Sequence, residues 1–104
     1  MRQAKIIIDQ QLAGILTENE DAYIFEYDKT YLNSKTSKPV SLTLPLQKEP
    51  FKADFLFPFF DGLIPEGWLL DIVHKNWKLN PRDRMGLLLA TCKDCIGNTS
   101  VVPL

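Results

Sequence analysis

The sequence predicts an α+β fold, a small twisted antiparallel sheet or partial barrel with two or three helices packed against it. Three observations predict it. Apolar side chains in the first half recur with a period of two, broken by polar turn clusters. After Pro65 the period lengthens to that of a helix. Near the end, the short branched run Ser100-Val101-Val102 returns the chain to the sheet.

Residues 4–8 (Ala-Lys-Ile-Ile-Ile) predict the first strand, and Leu12, Ile15 and Leu16 predict a second with Gly14 at a bend or bulge. The polar cluster Glu18-Asn19-Glu20-Asp21 makes a turn. Tyr23, Phe25 and Tyr27 alternate with Ile24 and Glu26, so the third strand has one buried aromatic face and closes a meander. Residues 28–39 are polar, end in Pro39 and read as a loop. From there Val40, Leu42, Leu44 and Leu46 point one way and Ser41, Thr43, Pro45 and Gln47 the other, predicting a fourth strand. Pro45 cannot donate to a ladder, which puts that end at an edge or beside a break. Lys48 to Asp54, containing Pro50, reads as a connector.

Pro65 suits a first helical position and Glu66 the positive end of a helix dipole. Leu69, Ile72, Val73 and Trp77 then form one apolar stripe. Asn80 as N-cap and Pro81 in the first turn open a second helix, with Met85, Leu88, Leu89 and Cys92 as its stripe. Gly86 lets a neighbour approach closely, and Gly97 ends the pattern.

At 104 residues the chain is sized for a single domain over 1–104, burying about two-thirds of its unfolded surface. Hydrophobic residues make up 45% and charged residues 24%, which argues against disorder. Twelve basic and thirteen acidic residues give a net charge of −1 with no long run of one sign, so direct nucleic-acid binding is not expected. The apolar run from Phe55 to Phe60 is too short to span a bilayer, and the N-terminus lacks the pattern of a secretory signal. The expected location is the cytoplasm, with no membrane partner.

The chemistry-bearing residues are few. His74 falls off the apolar stripe beside Lys75 and Lys78, with only Asp71 near it, a poor metal site. Cys92-Lys93-Asp94-Cys95 is a lone CxxC past a helix end rather than at a helix start, where a redox pair is expected, so these read as small core-filling cysteines. Phosphate-cradling glycine loops, nucleophile elbows and kinase signatures do not occur. We expect a non-enzyme with no catalytic residues, cofactor or metal.

The run Phe59-Phe60-Asp61-Gly62-Leu63-Ile64-Pro65-Glu66-Gly67-Trp68 stands apart. At about 100° per residue, Trp68 lies well off the centre of the Leu69–Trp77 stripe, beside Asp71 and Lys75. Either the residues before the helix fold over it, or it is an exposed tryptophan presented at a helix start. Tryptophan is over-represented among binding hot spots. The expected partner-binding set is Phe60, Asp61, Leu63, Ile64, Pro65, Glu66 and Trp68.

Tyr31-Leu32, the segment from Pro39 to Leu46, the run from Phe59 to Gly67, and the closing residues Leu88-Leu89, Asp94-Cys95, Gly97 and Ser100 to Pro103 together resemble a known pattern. It is that of the N-terminal subdomain of HipA-type toxin kinases. In those proteins the subdomain precedes a serine/threonine kinase core, whereas this sequence stops at Leu104. It thereby resembles HipS, the antitoxin of three-component HipBST toxin–antitoxin systems. The resemblance implies binding to a HipT-like kinase toxin, with a HipB-like DNA-binding protein as a further partner in the same complex. Cys92 and Asn98 depart from the pattern, standing where glycine and alanine are expected, and Trp68 occupies a position with no fixed tryptophan in the longer proteins.

Three readings follow. The first is a non-catalytic antitoxin that docks on the kinase through the 59–68 turn. The second is an accessory module that the kinase needs for folding or for assembly with its DNA-binding partner. The third is a small redox protein using Cys92 and Cys95.

Overall fold

Three branched isoleucines at positions 6–8 and the two polar residues after them make a strand and a tight reversal. In the computed structural model, which describes residues 1–35, 37–64, 82–92 and 98–104, β1 (Arg2–Ile8) turns into β2 (Gln11–Glu18) through Asp9 and Gln10. Both turn residues have positive φ, 51° and 67°, the geometry a two-residue hairpin of matching twist demands. Asp9 is braced across the sheet, since its N–H donates to the Asn98 carbonyl and its carboxylate accepts from Asn98 Nδ2 at 2.7 Å.

The predicted meander continues through β3 (Tyr23–Tyr27). Asn19 shapes the turn before it, its side chain accepting from the N–H groups of Asp21 and Ala22. The five strands pair in the order β4-β3-β2-β1-β5, all antiparallel, with β4 at Phe51–Ala53 and β5 at Thr99–Pro103. The register of β1 on β2 slips between Ile6↔Gly14 and Ile7↔Leu12. This bulge reverses parity: Ala13 and Leu16 are sealed in the core, while Leu12 faces out. Gly14 sits at the slip because a Cβ there would meet the Glu26 carbonyl oxygen at 2.4 Å.

One face of the sheet, bearing Ala4, Ile6, Leu16, Phe25, Tyr27 and Val101, forms the core floor. Helix α1 (Lys29–Asn33) packs against β2. The short helix α2 (Pro58–Asp61) and α3 (Arg84–Thr91) pack against each other, and α3 also against β5. This is the expected α+β architecture, an antiparallel sheet with three helices among the described residues.

Several elements differ from the sequence reading. Residues 28–39 are not all loop: the Asp28 carboxylate accepts from Tyr31 N–H and caps α1, whose Tyr31 is buried. Val40–Gln47 is not a strand. It folds into a turn with one bridge, Ser41↔Leu44, that buries Leu44 to 2% exposure and leaves Leu42 at 98%. Ser41 and Thr43 explain this, because their hydroxyls bond one another and Thr43 N–H donates to Ser41 Oγ, competing with a ladder. The connector holds β4. Finally, α3 starts at Arg84 under an Asp83 cap rather than from Asn80, and Asn80 and Pro81 lie outside the described residues. Gly86 does admit a close neighbour: a Cβ there would meet the Asp83 carboxylate at 2.4 Å.

Two glycine exchanges separate these constraints. Gln10→Gly relieves a left-handed residue and should raise stability by up to about 1 kcal/mol. Gly14→Ala should lower it by about 1–3 kcal/mol through overpacking. Urea denaturation of both variants measures the contrast, and like signs would contradict the assigned strain.

Candidate functional site

Pro58 starts α2 at a position that needs no N–H donor, and the chain then closes on itself. Asp61 N–H donates to the Phe57 carbonyl, Leu63 N–H to Phe60 and Ile64 N–H to Asp61. The turn is therefore compact and internally bonded from Phe57 to Ile64.

Its aromatic side chains go inward. Phe60 is fully buried, its ring 5.4 Å from Phe25, 6.1 Å from Phe57 and 5.2 Å from Phe59, all in tilted or edge contacts. Leu63 and Ile64 are buried at 7% and 8% exposure. In the folded chain Phe60, Leu63 and Ile64 of the expected partner-binding set lie in the core. The reason is that α2 is one turn long, and a partner-facing aromatic there would leave the space over Phe25 empty.

Asp61 is the described member that reaches solvent, with 42% of its side chain exposed. It accepts a 2.5 Å hydrogen bond from Arg84 Nε at the start of α3. At the other end of α3, Cys92 Sγ donates to the Leu63 carbonyl. The turn is thus tied to both ends of one helix. Cys92 is a buried free thiol, as core-filling predicts. Pro65, Glu66 and Trp68 lie outside the described residues, as do His74 and Cys95.

Helix α3 is in turn anchored to β1 by Arg2. Its Nη2 and Nη1 donate to Asp83 Oδ1 and Oδ2 at 2.7 and 2.9 Å, and its Nε to Glu18 Oε1 at 2.7 Å. Asp83 also accepts from Gly86 N–H, and Glu18 accepts from Tyr23 Oη at 3.0 Å. The hydrogen bonds from Arg2 hold both carboxyls below their ordinary range and push the guanidinium further above its own. Burial, and then the bond to Glu18, raises the Tyr23 phenol. Local pattern could not reveal this network, because Arg2 and Asp83 are 81 positions apart. The same holds for Arg84 and Asp61.

Among the described residues, no group of three or more histidine, cysteine or acidic side chains could hold a metal ion. None of their helices is long and apolar enough to cross a membrane.

The chain matches the family described as the HipA N-terminal domain over residues 4–102, and it belongs to that family. It is 29% identical over 101 residues to an uncharacterized protein of Haemophilus influenzae, covering 97% of this chain and 92% of that protein. It is 28% identical over 96 residues to "Putative kinase Y4mE" of Sinorhizobium fredii, covering 91% of this chain but 23% of that protein. The solved "N-terminal domain of HipA toxin" superposes with a TM-score of 0.74 at 25% identity, over 100% of this chain and 93% of that one. A chain of the Shewanella oneidensis MR-1 complex of HipA, HipB and operator DNA shares the fold, with a TM-score of 0.66 at 21% identity. This domain covers 96% of the present chain and 23% of that one. The expected family and fold are those found, and they set the protein in a HipA-type toxin–antitoxin context.

The Arg2 network fixes an acid dependence. Glu18 and Asp83 bind protons less readily folded than unfolded, so their stabilisation is complete above the unfolded carboxylate values near pH 4 and is lost as pH falls through the lower folded ones. Thermal midpoints should therefore drop below about pH 4, and Arg2→Gln should be less stable at neutral pH with a shallower drop. Identical acid profiles for the two proteins would contradict the assignment.

Proposed function

We propose that this chain is an antitoxin that binds a HipT-like serine/threonine kinase toxin and neutralises it, without catalysing a reaction itself. It works in the cytoplasm, in a three-component system that includes a HipB-like DNA-binding protein. The observation that carries this reading is the match of a HipA N-terminal domain over residues 4–102, alongside a Haemophilus influenzae relative that the aligned domain fills to 92%. In that relative the domain stands almost alone, whereas Y4mE, named as a kinase, extends far beyond it. A domain used both fused to a kinase-type chain and nearly by itself is suited to act on such a kinase in trans.

The polar chemistry around the turn supports a binding role. Arg2, Glu18, Asp83, Asp61 and Arg84 tie elements together, and Cys92 fills the core. With Phe60, Leu63 and Ile64 buried, the contact surface narrows to Asp61 and to Pro65, Glu66 and Trp68, which follow the turn directly. Trp68 placed at the kinase cleft would fill it or prevent its closure, and phosphoryl transfer needs phosphates, metal and glycine-rich loop in alignment.

The test is a titration of a HipT-like kinase from the same genome with the purified chain, paired with growth rescue on co-expression. The wild type should lower kinase activity and restore growth. Trp68→Ala should fold normally and bind about 30-fold weaker or worse, as loss of a hot-spot tryptophan costs about 2–4 kcal/mol. Stimulation of the kinase would instead support the accessory-module reading, and undiminished rescue by Trp68→Ala would remove Trp68 from the interface.

A further inference from the structure

The sheet has a second face. Every described helix sends its buried side chains, Tyr31, Phe60, Met85, Leu87 and Leu88, into the core on the other side. Strand alternation turns Ile7, Ile15, Ile24 and Val102 the opposite way, outward. They are half-buried, and none of the four packs against the core cluster. An antiparallel sheet with one face in water usually carries polar residues there. Strand propensity alone accounts for branched residues in a sheet, but not for the charge pattern set around these.

The register places Ile15 on β2 between Lys5 on β1 and Glu26 on β3, one row across three strands. Both charged side chains are exposed. Among the described residues neither takes part in an ion pair, although Lys29 and Lys48 line a cavity with Glu26. Lys5 and Glu26 stand about 4.8 Å to either side of β2. A two-fold axis along β2, lying between two facing sheets, exchanges those sides. It sets Lys5 of each copy over Glu26 of the other, and Ile15 over Ile15. Face-to-face sheets cross at about 30°, which displaces residues this near the axis by about 2–3 Å, within a lysine's reach. Lys52 pairs with Ile24 from β4, one strand further out. The same axis holds the two copies' Lys52 at opposite rims, in water. A partner of a single charge sign would not match a face on which both signs flank an apolar centre, whereas a second copy does. Strands of seven and eight residues in a five-stranded sheet make this face roughly 20 by 25 Å. Two copies packed over it bury on the order of 1,000 Å² in total, the lower limit for a specific interface.

We propose that the outer face of the sheet is a self-association surface, on which a second copy of this chain packs about a two-fold axis along β2, with Lys5 of each copy against Glu26 of the other. The proposal does not rest on the kinase-binding reading. The experiment is sedimentation equilibrium of the purified chain over a concentration series, for wild type, Lys5→Glu, Glu26→Lys and the double exchange, with a thermal melt of each. Wild type should dimerise with a constant on the order of micromolar to tens of micromolar. Each single reversal sets like charges together at two symmetry-related places and should weaken the dimer roughly 10-fold. The double exchange restores opposite charges across the axis and should recover most of the affinity. Melting midpoints at dilutions where all four chains are monomeric should agree, since both side chains are exposed. Added salt should weaken the wild-type dimer. A wild type that stays monomeric up to about 1 mM overturns the proposal, and this arm stands even where a variant folds poorly. Self-association indifferent to the single reversals, or not recovered by the double exchange, places the contact elsewhere and also overturns it. Single reversals that leave the dimer intact but abolish binding to a HipT-like kinase reassign the face to that partner, with the same consequence.

Discussion

The burial of Phe60 against Phe25 is the interaction on which the rest of this structure depends. Phe25 belongs to the β1–β2–β3 meander, whose strands are close in sequence, and Phe60 belongs to a turn that packs on it from farther along the chain. Removing a buried phenylalanine costs about 3–5 kcal/mol, against a total stability of about 5–15 kcal/mol for a domain. Losing that contact would leave the 57–64 turn without a seat and α3 with β5 but without its packing on α2. The polar ties then add direction: Asp61 to Arg84 and Cys92 to Leu63 fix the turn along α3, and Arg2 fixes α3 to β1.

The strands were legible where local pattern and final environment agree. Tyr23, Phe25 and Tyr27 read as an aromatic face, and Phe25 and Tyr27 are indeed sealed beneath the helices, with Tyr23 at the margin. Gly14 read as a bend, and the bulge lies beside it. The Val40–Gln47 segment shows the opposite case. Its alternation satisfies the template for a strand, but two hydroxyl residues flanking Leu42 offered the backbone a competing set of bonds, and Tyr27 stabilised that alternative from a distant part of the chain. Hydrophobic pattern records which residues avoid water, not which hydrogen bonds win. Leu42 did not avoid water at all.

The depth at which the residues of the expected contact patch lie was not legible in the sequence. A cluster of large apolar residues around a proline and two glycines marks a structural focus. From sequence alone, a focus that supports a binding segment looks the same as one that is the binding segment. Phe60, Leu63 and Ile64 are buried in the folded chain. The ion pairs were invisible for a simpler reason: long-range partners such as Arg2 and Asp83 leave no periodic trace.

The resulting account separates foundation from presentation. A sheet, an aromatic seat and three polar ties hold a rigid body, and the proposed contacts with a kinase lie on what that body holds out. Hydrogen–deuterium exchange of the chain, alone and with a HipT-like kinase, tests this most directly. The account predicts slowed exchange over residues 61–68, with the β1–β2 hairpin unchanged. Protection confined to that hairpin, or none anywhere at saturating kinase, would contradict it.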